Sequence, residues 1–373
     1  MDLPLIFACV AAGAVGLYVL ADGFDLGIGL LFLLAPREQD RDVMMESIAP
    51  LWDGNETWLV FGGALLWTAF PIAYYVLLPA FYLPLMIMLF ALIFRGIAFE
   101  FRFQARQFRR VWDYAFAGGS LLAVLAQGLV LGGFIGGVPV ENGVFSGGTF
   151  SCLTVLGLLC AGGLVGGYAL LGAGWLIWKT DGRTQMFGRK IGHAAVILTA
   201  ACMALVSGWT AFTVPEVAER WFGWPRVLQL APMPLAATVA VLLIWRALWG
   251  SSQSRPFVLT IVLFLLGFGG LAVSLWPYVV PRHATVWSAA SDGATLRFVG
   301  VGMLVILPII LGYLGHAYWV FRGKTVLEGG YGTPDAEGDA GRRAAARRTD
   351  LHSSWSVRQP DAAPIAKGAN PDD

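Results

Sequence analysis

The chain has 373 residues, 57% of them hydrophobic and only 13% charged, with a net charge of +1. Soluble proteins carry about 25% charged residues, so this composition excludes a water-soluble globular domain and points to one embedded in lipid. The charge balance, with no basic stripe outside helix ends, gives no sign of a nucleic-acid partner.

About nine apolar segments supply the roughly 20 residues needed to cross 30 Å of hydrocarbon. They lie near 4–34, 48–78, 80–101, 112–137, 150–178, 190–213, 229–249, 256–278 and 295–321. The first lacks a basic leader region and runs past signal-peptide length, so it is expected to stay as a helix. A turn at Pro79 divides the second from the third. Pro71, Pro84, Pro234 and Pro308 are kinks of the kind membrane helices tolerate. Cys9, Cys152, Cys160 and Cys202 sit in apolar runs without metal-ligand spacing and read as packing residues.

Loop charges orient the helices. Arg37 and Arg41, then Arg102, Arg106, Arg109 and Arg110, follow the first and third segments. Lys179, Arg183, Arg189 and Lys190, then Arg246 and Arg255, follow the fifth and seventh. The opposite loops hold Arg220, Arg226, Arg282 and Arg297. The positive-inside rule puts the first set in the cytoplasm, the N-terminus outside and the C-terminus inside. Residues 1–325 form the transmembrane domain, whereas 326–373, rich in Gly, Ala, Pro, Asp and Arg, read as a disordered cytoplasmic tail. An internal echo pairs Gly16-Leu17-Tyr18-Val19-Leu20 with Gly166-Gly167-Tyr168-Ala169-Leu170. It suggests an all-α, polytopic fold of two four-helix units plus one peripheral helix.

Charged groups inside a membrane are costly, so the carboxylates in these segments are the functional candidates. Asp22 and Asp25 stand three apart on one face of the first helix, among Gly23, Gly27 and Gly29. The second helix opens with Trp52, Asp53, Gly54, Asn55 and Glu56, again with two acids three apart. The third brings Arg95 and Glu100, and the fourth brings Asp113. Helix counting places all of these in one cytoplasmic-side layer, while the outer half holds almost nothing ionisable. A single Arg cannot neutralise so many acids. Carboxylates bridged by water and Asn55 are what a proton relay requires. Neutralised acids at helix ends are the plainer reading, strongest for Glu100 and Asp113.

No redox centre is expected in this chain. A haem needs axial His, Met or Cys, and the four histidines (His193, His283, His316, His352) are not placed to sandwich one at mid-membrane.

These motifs resemble subunit II of the cytochrome bd-type quinol oxidases. The resemblance rests on DGFDLGIG at 22–29, SIAPLWDGNETWL at 47–59, FRGIAFEFR ending at Arg102 and WDYAF at 112–116, and continues to about residue 325. The stretch from Gly132 to Trp178 is similar to the cyanide-insensitive branch. The resemblance implies a heterodimer in the bacterial cytoplasmic membrane with a haem-bearing subunit I. That partner would hold two b-type haems, one d-type haem or b-type substitute, and the quinol site. It also implies quinol oxidation coupled to reduction of dioxygen to water, with protons drawn from the cytoplasm. Asp22, Asp25, Asp53 and Arg95 inherit the proposed proton-feeding role. Small single-helix accessory subunits, lipids and quinone are further partners that it allows. The alternative is a proton-coupled secondary transporter, which would expose its carboxylates to both sides and work without a haem partner.

Overall fold

The computed structural model describes residues 2–105 and 108–325. The tail expected from residue 326 lies outside the described residues, as do Arg106 and His352. The first crossing is α1, Leu3–Phe32, whose N-cap Asp2 accepts a hydrogen bond from the Leu5 N–H at 3.2 Å. A polar helix that the hydrophobic pattern does not announce follows it, α2, Glu38–Glu46.

The second expected crossing is broken into α3, Trp52–Ala69, and α4, Pro71–Ala80. Pro71 explains the break, because its ring forces the preceding residue away from helical geometry. Phe70 accordingly has φ −132° and ψ 60°. The next crossings are α5, Tyr82–Gln104; α6, Arg109–Gly136; α7, Val155–Lys179; and α8, Gly182–Thr213. Short helices α9, Pro215–Phe222, and α10, Arg226–Leu230, lead into α11, Pro232–Trp249, and α12, Arg255–Leu275. A turn of helix, α13, Val286–Ala289, precedes the last crossing, α14, Gly293–Val320. Two small antiparallel hairpins join β1 (Val140–Glu141) to β2 (Val144–Phe145) and β3 (Tyr278–Val280) to β4 (Ala284–Thr285).

Among the described residues, eight helical stretches are long and apolar enough to cross a membrane. The remaining expected crossing is α3, whose 18 residues include Asp53, Asn55 and Glu56. Large apolar side chains such as Phe212 (91% exposed) and Phe298 (83%) point outward, as lipid-facing surfaces do.

Helices α1, α3, α5 and α6 pack as one group, and α7, α8, α11 and α12 as another. The two groups join through α7, which lies on both α1 and α6. Helix α14 is peripheral and touches mainly α3 and α1. Its end is tied to α7: Lys179 Nζ donates to the carbonyls of Phe321 and Gly323 at 2.5 and 3.2 Å. The expected two units plus one helix are therefore present.

The α1–α7 junction depends on Gly27. A Cβ there would lie 1.9 Å from the Tyr168 carbonyl oxygen and 2.9 Å from the Gly172 amide nitrogen. Both obstacles are backbone, so neither can rotate away. Beside this contact Phe24 stacks on Trp175, ring centroids 4.2 Å apart. Gly27→Ala is expected to pry the two groups apart, since overpacking a closed core costs about 1–3 kcal/mol and sometimes more. The thermal midpoint of the purified protein should fall by several degrees; an unchanged midpoint would show that the helices are free to separate.

Candidate functional site

The DGFD stretch of α1 puts Asp22 and Asp25 on the side of the helix facing α3, α5 and α6. Both are fully buried, as is Arg95 on α5. Arg95 reaches this pocket because α6 has Gly119 opposite it. A Cβ at 119 would lie 2.7 Å from the Ala91 carbonyl oxygen and 3.3 Å from Arg95 Cβ. Arg95 Nη1 donates to Asp22 Oδ1 at 2.7 Å and to Glu56 Oε1 at 3.0 Å. The Glu56 side chain is 24% exposed, so this group of charges has one open edge, on α3.

A second branch holds Asp25. Asn55 Nδ2 donates to Asp25 Oδ2 at 2.6 Å and more weakly to the Ala21 carbonyl at 3.4 Å. Asn55 Oδ1 in turn accepts from the Tyr318 hydroxyl at 2.8 Å, which brings the peripheral α14 into the site. A third branch is uncharged: Gln127 Nε2 donates to the Tyr18 hydroxyl at 2.7 Å, and the Tyr168 hydroxyl donates to Gln127 Oε1 at 2.8 Å.

Two features of this network are costly unless something compensates for them. Asp22, Asp25 and Glu56 outnumber the single cation Arg95. In addition, Asp22 Oδ2, Asp25 Oδ1, and Arg95 Nε and Nη2 are buried without a protein partner. Each such atom forfeits hydration worth about 1–3 kcal/mol, more for a charged group. Four of them gathered in one locus have the chemistry of a place for water and exchangeable protons.

The single acidic layer expected from helix counting is two clusters. Asp113 belongs to the outer one: Arg102 Nε donates to its Oδ1 at 2.6 Å, and Arg41 Nη1 lies 3.2 Å from its Oδ2. Arg102 Nη1 also donates to Asp42 at 2.7 Å, and Arg109 bridges Asp42 and Glu38. Nearby on α2, partial burial and the Asp42 charge push the Glu46 carboxyl above its ordinary range. Between the clusters lie Phe32, Phe99 and Phe116, all buried. Phe116 meets Phe32 and Phe99 edge-on, with centroids 4.9 and 5.0 Å apart, and the Arg102 guanidinium lies over Phe32. Helix counting fixes depth but not which side chains fill the space between, so it merges the two.

Other candidates are placed differently from that layer. Asp53 and Glu100 are exposed on the surface of the chain, outside the buried network. Trp52 stacks on Phe99, interplanar angle 3°, and so belongs to the aromatic layer. Tyr18, Gln127, Tyr168 and Tyr318 are network members that the search for ionisable residues passes over. The echo of residues 16–20 in 166–170 carries Tyr18 and Tyr168, which share Gln127; Gln127 and Tyr318 have no such sequence signal.

His193 is engaged at its own end of α8. His193 Nδ1 is 2.8 Å from the Arg189 carbonyl, and its ring is wedged edge-on against Trp245 and Trp249. Among the described residues no three His, Cys, Asp or Glu side chains gather as a metal site.

The sequence pattern of the family described as cytochrome bd terminal oxidase subunit II matches residues 3–321. The chain belongs to that family. It is 28% identical to the cytochrome bd-I ubiquinol oxidase subunit 2 of Escherichia coli K12, over 83% of this chain and 92% of the relative. It is 27% identical to the cytochrome bd ubiquinol oxidase subunit 2 of Bacillus subtilis, over 85% and 94%. A solved bd oxidase structure from Geobacillus thermodenitrificans matches with a TM-score of 0.71 at 17% identity, covering 86% of this chain and 98% of that one. At that identity the likeness concerns the fold.

Proposed function

We propose that this chain is the haem-free subunit of a quinol-oxidising, dioxygen-reducing complex, and that its buried carboxylates carry protons toward the haem-bearing partner. The observation that carries the reading is the union of Asp22, Asp25, Arg95 and Asn55 in one buried network that holds surplus acid and four unpartnered polar atoms. A site with more carboxylates than cations holds protons that can exchange, and water joins them into a path.

The positive-inside rule makes the end bearing Arg37, Arg102 and Lys179 the cytoplasmic one, in a bacterial inner membrane. The aromatic layer of Phe32, Phe99 and Phe116 closes the direct way from the Arg102 cluster inward. Glu56 is the open edge of the network, and exposed Asp53 stands three residues before it on α3. Protons therefore pass along the α3 edge, where the partner subunit completes the route. The outer cluster around Arg102 and Asp113 serves as a structural lock. The same reading places the two b-type haems, the third haem and the quinol site on the partner, with accessory single-helix subunits and lipid around the pair.

Co-purification tests the assignment. The complex should contain a haem-bearing partner and consume oxygen with quinol; a haem-free preparation that transports solute by itself would overturn it. Tyr318→Phe tests the network from its far end. The variant leaves Asn55 Oδ1 without its donor, so turnover should fall about twofold to fivefold with the haem spectrum unchanged. Full activity would remove α14 from the path.

A further inference from the structure

We infer that Gln127 is a positioning residue that aims the Tyr18 hydroxyl at Asp22, extending the buried network to the middle of the bundle. The inference rests on the proton-carrying reading above. Tyr18 is 4% exposed and Tyr168 fully buried. Gln127 joins them from α6 with a donor at one end of its amide and an acceptor at the other. Because the Tyr168 hydroxyl donates to Oε1, the Nε2 end faces Tyr18. The Tyr18 oxygen then accepts, and its own hydrogen must be given elsewhere.

Asp22 stands one helical turn further along α1, on the same face as Tyr18. Asp22 Oδ1 is occupied by Arg95, while the buried Oδ2 has no protein donor and is the open acceptor within a turn of Tyr18. A Tyr18 hydrogen turned to that oxygen sets the hydrogen bonds running one way, from Tyr168 through Gln127 and Tyr18 to Asp22. The opposite amide orientation would draw the Tyr18 hydrogen back to Gln127 and strand a buried carboxylate oxygen, the costlier arrangement. Tyr18 lies near the midpoint of α1, whereas Asp22 and Asp25 lie toward its basic end. An apolar residue at 127 frees the Tyr18 hydroxyl to rotate and leaves Asp22 Oδ2 without a fixed donor.

The test uses the purified two-subunit complex, with oxygen uptake driven by a soluble quinol in H2O and D2O. Gln127→Leu and Tyr18→Phe should each slow turnover about threefold to tenfold and enlarge the solvent isotope effect. The double variant should be no slower than Tyr18→Phe, because Gln127 acts through that hydroxyl. Tyr168→Phe removes the donor that sets the amide's orientation, so it should slow turnover in the same sense but by less, about twofold. Wild-type turnover and isotope effect in Gln127→Leu overturn the inference, as do single effects that multiply in the double variant. Should Gln127→Leu fail to assemble, Gln127→Met replaces it, since the thioether keeps the length of the side chain but cannot donate to Tyr18. Asp22→Asn separates the two levels. If it is fully active the proton-carrying reading fails; if it is slow while the Gln127 variants are normal, only the role of Gln127 fails.

Discussion

Arg95→Leu should abolish recovery of the folded complex. The guanidinium is fully buried and holds Asp22 at 2.7 Å and Glu56 at 3.0 Å. Removing one partner of a buried ion pair costs about 3–5 kcal/mol, because the remaining buried charge loses its counter-ion. That cost is a large share of the 5–15 kcal/mol by which a domain is typically stable. Arg95→Lys keeps the charge but loses the planar fork, so it should assemble with a lowered thermal midpoint. Yield and thermal midpoint of the purified complex are the measurements. A leucine variant that assembles as well as wild type would show that Arg95 is not the counter-ion that the buried acids depend on.

What the sequence reveals of this site follows from what each signal measures. Hydropathy reports lipid exposure, and it locates the crossings to within about five residues except at α3–α4 and at the start of α8. Helix α8 begins at Gly182 rather than near 190, because its first turns carry Arg183, Arg189 and Lys190. At α3–α4 an apolar run continues through Pro71, and backbone chemistry rather than hydropathy ends the helix. Helix counting reports depth, and it brings Asp22, Asp25, Asn55, Glu56 and Arg95 to a common level. It cannot report azimuth. Asp53 and Glu100 share that level but point away from the network, and Asp113 is cut off by three phenylalanines. Nor can it find hydroxyl partners, because a tyrosine in an apolar helix looks like any other aromatic. Tyr318 meets Asn55 across 263 positions of chain, and only the packing of α14 on α3 brings them together.

Asp25→Asn should separate proton carriage from architecture. Asp25 accepts from Asn55 Nδ2 at 2.6 Å, and an asparagine at 25 can turn its own carbonyl to the same donor. Shape and hydrogen bond are both kept, so assembly and haem spectra should match wild type. The site loses only a group that can take up and release a proton. Oxygen uptake with quinol is therefore expected to fall by about tenfold or more, equivalent to at least ~1.4 kcal/mol on the limiting barrier. Asp113→Asn is the contrasting change. It weakens the bonds from Arg102 and Arg41 outside the aromatic layer, so it should lower the thermal midpoint and leave turnover per assembled complex nearly intact. The opposite pattern, with Asp113→Asn slow and Asp25→Asn fast, would place the proton path through the outer cluster and across Phe32, Phe99 and Phe116. Three packed rings hold no proton carriers, and that makes the route along the α3 edge the better physical account.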